Sequence, residues 1–160
     1  MAKSPSGRIA AVLPKDGVVV FLIGMRINKF WQVWKWLPVF LAMPRMIIEL
    51  MKNPDLGLRG YPRTFWSGRL IMVWQQWTSF EKLEEYSKSA QNQHLPAWKA
   101  FNVSARNNTA VGVFHETYLL DASTAEGVYV NAGVLGLAKA FGSAAADGAM
   151  QTARKRLGKK

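Results

Sequence analysis

The run GVVVFLIGMRI, residues 17–27, is apolar on both sides of any strand it forms. Its length, its β-branched residues and the flanking KDG and NK predict a strand. Side chains alternate across a strand, so Val18, Val20 and Leu22 face one way and Val19, Phe21 and Ile23 the other. RLIMVWQQW, residues 69–77, repeats the pattern, with Leu70, Met72 and Trp74 opposed to Ile71, Val73 and Trp77. A sheet of such strands has to be covered on both faces. That demand governs what the rest of the chain must supply.

Helices cover one face. Residues 30–52, FWQVWKWLPVFLAMPRMIIELMK, are the most hydrophobic stretch and are long enough to cross a bilayer. Lys35, Arg45 and Glu49 interrupt the run, and charges at depth are costly. With Pro38 and Pro44 inside it, the segment is expected as two short helical pieces. NPDLGLRGYPR is a loop by its Pro and Gly, and Ser67-Gly68 marks a turn between two strands. Thr78 followed by Glu81 predicts a capping box opening a second helix, whose Phe80, Leu83 and Tyr86 share a face. Pro96 can open another short helix; strands follow at 109–120 and in VYVNAG.

The predicted order is β-α-β-β-α-β. This is an α+β, ferredoxin-like domain over 17–141 with a single antiparallel sheet and helices on one side. Residues 1–16 are expected as a flexible N-terminal segment and 142–160 as a basic C-terminal tail. The sheet's second face is then bare, and a monomer rarely exposes so much apolar area. A second copy packed sheet to sheet is the expected cover, making a homodimer.

The chain has 160 residues, enough for one domain with a sizeable core, and no cysteine. Disulfides, cysteine zinc sites, Fe–S clusters and thiol nucleophiles are excluded, and a cytoplasmic location is expected. MAKSPSGRIAAVLPKDG holds no apolar run of signal-peptide length. The net charge is +11, and five of the 21 Lys and Arg fall in ARKRLGKK at 153–160. An anionic membrane surface is one partner such a charge suits, through this solvated tail and the Trp-rich 30–52 segment. The aromatics are interleaved with apolar residues and not with a basic stripe, which argues against nucleic acid.

No glycine-rich phosphate loop, HExxH or GxSxG occurs. What remains is a few polar residues set in apolar patterns, above all in VGVFHETYLL at 111–120. His115 shares a strand face with Val111, Val113 and Thr117, whereas Glu116 lies on the other with Phe114 and Tyr118. An imidazole in an apolar cavity serves as a base or as an iron ligand, or is simply a hydrogen-bonded core residue. His94 lies at a helix break. Arg26 and Asn28 close the first strand, where they would hold an anionic or carbonyl group. Tyr118, Trp74, Tyr129 and Asn131 are candidates for contact with a substrate.

Three blocks carry a resemblance: MRINKFWQVWKWLPVFLAMPRMIIEL, WTSFEKLEEYSKSAQNQHLPAWKAFN and VGVFHETYLLDASTAEGVYVN. In this order they resemble an uncharacterised monooxygenase-like family of the dimeric α/β-barrel superfamily, near the antibiotic-biosynthesis monooxygenases. More distant branches include haem aldoxime dehydratases and chlorite dismutases. The resemblance implies a ferredoxin-like subunit, a sheet-to-sheet dimer, and oxidation of a hydrophobic small molecule in an apolar pocket. It implies either no cofactor, with His115 as base and Arg26 or Asn28 stabilising the anion, or a haem held by His115 or His94. The alternative is a non-catalytic protein that binds a small molecule or a membrane surface. The chain departs from the family pattern at Ala132-Gly133, where Met-Pro is usual; the following Gly-Leu pair survives as Gly136-Leu137.

Overall fold

The computed structural model of the chain describes residues 7–89 and 109–159. Its centre is β2, Val18–Ile27. The chain continues through α1 (Val33–Lys52), β3 (Leu58–Ser67), β4 (Leu70–Trp77), α2 (Phe80–Lys88) and β5 (Val111–Leu120). The four strands form one sheet in the order β3-β4-β2-β5, antiparallel at every pair. The first and third strands of the β-α-β-β-α-β series therefore lie at the centre, which is the ferredoxin-like arrangement.

The two faces of β2 are covered by different parts of the chain. Its odd-numbered residues meet the helices. Val19 packs with Leu50 of α1, Leu58, Trp77, and Leu83 and Tyr86 of α2. Met25 and Ile27 pack with Ile71 and Val111, under Trp36, Val39 and Phe40 of α1. Trp77 is fully buried and its indole N–H donates to Gln75 Oε1 at 3.0 Å, so the polar edge of that ring is satisfied inside the core. On α2, the Tyr86 hydroxyl donates to Glu49 Oε2 of α1 at 2.8 Å. Burial, then that hydrogen bond, then the Glu49 charge hold this phenol well above its ordinary pKa.

The second face departs from expectation. A second, three-stranded sheet is present, in the order β6-β1-β7, from β1 (Arg8–Ala11), β6 (Val128–Val130) and β7 (Ser143–Ala145). VYVNAG therefore contributes its strand to this sheet and not to the main one, so the single-sheet expectation is corrected. With α3, Gly136–Phe141, this sheet lies over one end of β2. There Ala11, Val18, Leu137 and Ala138 are buried together, flanked by Val20, Leu120, Tyr129 and Phe141. The segments expected as tails are thus partly built into the domain. In α4, Ala153–Arg156, the Arg156 guanidinium is almost fully buried and meets Glu126 Oε2 at 2.7 Å. ARKRLGKK reads as solvated because its charges dominate its composition; an ion pair 30 residues apart in sequence leaves no trace in spacing.

Two local features also differ. α1 is one helix across Pro38 and Pro44, not two pieces. Both prolines are exposed, on the outward side, where water can satisfy the carbonyls they leave without a donor. The N-cap of α2 is Ser79, whose Oγ accepts from Lys82 N at 3.3 Å. Thr78, one residue earlier, is tied to the Gly57 carbonyl.

Among the described residues no helix is long and apolar enough to cross a membrane.

Candidate functional site

β5 is an edge strand, and its burial falls away along its length, from buried Val111 to exposed side chains at 115–119. His115 pairs with Ile23 of β2 and therefore lies on the helix-facing side of the sheet. Its ring stands 5.6 Å from that of Phe21, and it is exposed. Among the described residues it makes no hydrogen bond. The outcome is an exposed imidazole on a wall of Val113, Ile23 and Phe21. Such a ring is suited to take a proton from a bound molecule. It is also chemically suited to ligate an iron, and the apolar wall suits a porphyrin face.

Arg26, Glu116, Tyr118 and Trp74 lie on the other side of the sheet. Arg26 stands opposite Leu70 and Gly112, Glu116 opposite Leu22, and Tyr118 opposite Val20. Trp74 is across from Leu22 on β4. The Tyr118 hydroxyl donates to Glu116 Oε2, two residues along the same face. That bond, and then the carboxylate's charge, raise the Tyr118 pKa. Between these polar groups the ring of Phe114 lies across Gly24. A Cβ on Gly24 would sit 2.6 Å from that ring and 2.5 Å from the Ile71 carbonyl oxygen. This face is thus an apolar surface carrying two arginines, Arg26 and Arg63, with the Glu116 carboxylate and a phenol.

The sheet separates His115 from Arg26, so the two do not act on one substrate atom. Asn28 is committed to structure. Its Nδ2 donates to the Thr109 carbonyl at 3.2 Å, its N–H donates to the Ala110 carbonyl, and its own carbonyl accepts from Arg69. Asn131 has φ 53 and closes the turn after β6, accepting at Oδ1 from Gly7 N at 3.1 Å. Trp74 and Tyr129 do meet, at Gly136. A Cβ there would lie 2.8 Å from Trp74 Cη2 and 3.2 Å from the Tyr129 hydroxyl. The Gly136-Leu137 pair therefore seats α3 against the main sheet. His94 lies outside the described residues.

Sequence reasoning missed Arg69, whose guanidinium donates to the Asn28 carbonyl at 2.8 Å and stacks 5.4 Å over the Phe30 ring. It also missed Phe21 as the neighbour of His115. Strand register decides that contact, and no spacing within either segment signals it. A cleft of about 170 Å³ between Leu13, Ala125, Glu126 and Arg156 lies in the second layer, away from His115. Among the described residues no three His, Asp or Glu side chains converge to hold a metal ion.

The sequence profile of the Monooxygenase af470-like family matches residues 18–137, three quarters of the chain. The chain belongs to this family. The matched span holds the whole main sheet, both faces of β5 and the Gly136-Leu137 pair; β1, β7 and α4 lie outside it. Among curated proteins no sequence matches the chain. Among solved structures, an aldoxime dehydratase in complex with butyraldoxime is similar over 87% of this chain and 41% of its own, at 19% identity and a TM-score of 0.72. A second aldoxime dehydratase is similar over 88% and 43%, at 18% identity and a TM-score of 0.70. The chain therefore spans less than half the length of these enzymes, and at such identities the likeness establishes the fold. A cofactor-independent oxygenase from Streptomyces nogalater is a weaker match, with 10% identity, 64% and 91% coverage and a TM-score of 0.45.

Proposed function

We propose that this member of the af470-like family is a monooxygenase-like oxidoreductase for a hydrophobic small molecule, with His115 as its base. The observation that carries the reading is the exposed imidazole on the wall of Val113, Ile23 and Phe21, inside the span the family shares. An apolar wall with one convergent polar group is the usual make-up of a small-molecule site. The chemistry that needs only a base is oxidation of an acidified methylene. His115 removes one proton, and the carbanion passes an electron to dioxygen. The radical pair combines to a hydroperoxide, which loses water and leaves a carbonyl. In sum, one methylene and one dioxygen become one carbonyl and one water. Both C–H bonds and the O–O bond break, and the substrate supplies all the electrons. Arg26 is across the sheet, so the anion is stabilised from the His115 side, by the protonated imidazole itself.

A haem, where bound, would be held by His115 and would supply iron for oxygen or oxime chemistry. The two cases part in one experiment. Purified protein is mixed with haem and the visible spectrum recorded, and oxygen uptake is followed with anthrone-like and 1,3-dicarbonyl substrates. Oxygen uptake without haem, lost in His115→Ala, supports the base. A Soret band lost in His115→Ala supports the iron ligand. Neither signal, with tight binding of an apolar dye retained, leaves a binding protein without turnover.

We further propose a homodimer. The second layer covers only one end of the main sheet's outer face. Phe65, Leu70 and Tyr118 remain exposed on the rest of it, with Met72 and Phe114 half-buried. A second copy over this part would bury the apolar rows and enclose Arg26 and Glu116 as partners across the two-fold axis.

A further inference from the structure

α1 carries apolar side chains on the side turned away from the protein. Trp34, Leu41 and Ile48 recur every seven residues, which brings them to one face of a helix. Their exposures are 69, 45 and 52%. The opposite face, with Trp36, Val39, Phe40 and Leu50, is the one packed on the sheet. Arg45 and Lys52 lie on the outward face among the three apolar residues, both exposed, and among the described residues neither is in an ion pair. The helix has one acid, Glu49, and it is turned toward α2, where it accepts the Tyr86 hydrogen bond. Trp31, just before the helix, is 68% exposed.

We propose that this outward face of α1 docks on an anionic lipid surface. Trp34, Leu41 and Ile48 enter the boundary between headgroups and acyl chains, and Arg45 and Lys52 sit at the level of the phosphates. An apolar stripe edged by cations without an acid is what a helix lying in a membrane interface requires. The net charge of +11 draws the whole molecule to such a surface. A second copy is a poorer occupant: two such faces would bring four cations together with no carboxylate on either to pair with them. Two of the five C-terminal cations are engaged in the second layer: Arg156 is held by Glu126, and Lys155 Nζ donates to the Gly148 carbonyl.

The test is co-sedimentation of the full chain with phosphatidylcholine vesicles, with and without phosphatidylserine. Binding is expected only with phosphatidylserine. Trp34→Ser, Leu41→Ser and Ile48→Ser combined should lower the partition coefficient by about tenfold or more. Arg45→Gln with Lys52→Gln should do the same at low salt, about fivefold for each charge. Lys159→Gln in the tail should change it by less than about twofold. Should the triple variant unfold, quenching of tryptophan fluorescence by brominated phosphatidylserine decides: Trp34→Phe must remove part of the quenching. Wild-type protein left in the supernatant overturns the proposal. So does binding that survives both sets of α1 changes, and so does a lipid-free dimer that the triple change dissociates, which would make the face a contact between copies.

Discussion

Gly24 and Gly136 show how single positions set the outer face of the sheet. Gly24 is in the middle of the central strand, where any side chain would strike the Phe114 ring and the neighbouring backbone. Gly136 combines φ 48 with contact to Trp74. Gly136→Ala should cost about 1–3 kcal/mol, because it adds both a left-handed penalty and overpacking. A thermal melt checks this, and an unchanged melting temperature would mean that α3 is not seated there. Tyr118 gives a sign that can be read directly. Its phenol is held protonated by Glu116, so it ionises above the ordinary value. In Glu116→Gln its ionisation should fall toward about 10, seen by ultraviolet absorbance among the four tyrosines. Absorbance curves that superimpose would show the bond is not made in solution.

α1 and α2 are joined by a polar bolt, Tyr86 to Glu49, as well as by packing. Tyr86 binds its proton more tightly in the folded chain than in the unfolded one. The stabilisation is therefore complete below the unfolded phenol's pKa, about 10, and declines as pH rises beyond it. Tyr86→Phe should lower stability near neutral pH by about 1 kcal/mol and flatten the alkaline decline, measured by urea unfolding at a series of pH values. Arg156 plays a comparable part for the second layer. Its side chain is 4% exposed and reaches both Glu126 and the Met150 carbonyl. Arg156→Gln should cost about 2 kcal/mol and should speed hydrogen exchange in β7 before it affects β2. Uniform exchange across both sheets would instead mean that the two layers open together.

The assembly follows from how far the second layer reaches. It shields Val18 and Val20 but leaves Phe65 and Leu70 exposed at the other end of the sheet. Phe65→Glu with Leu70→Glu should convert a dimer to a monomer in light scattering at micromolar concentration, because buried carboxylates would face each other across the contact. A mass equal to one chain for the unmutated protein would remove the dimer. The same arrangement places His115 away from this contact, on the helix-facing side. Oxygen uptake that depends on His115 should therefore survive dissociation better than it survives His115→Ala.

Much of this architecture is legible in the chain because alternation and periodicity are local. β2, β4 and β5 announce themselves by apolar alternation, the Ser67-Gly68 turn by its residues, and the separation of His115 from Glu116 by parity alone. The demand for a cover on both faces of β2 is also written there. What covers the second face is not. β1, β6 and β7 are three or four residues each, too short for a period to emerge, and β1 pairs with strands more than 110 residues away. The same holds for the candidate site. Residue types singled out His115 and Arg26, but only strand register put one against Phe21 and the other across the sheet. Pairing and burial are set by backbone hydrogen bonds and packing between distant segments, and neither is encoded in the spacing of any one of them.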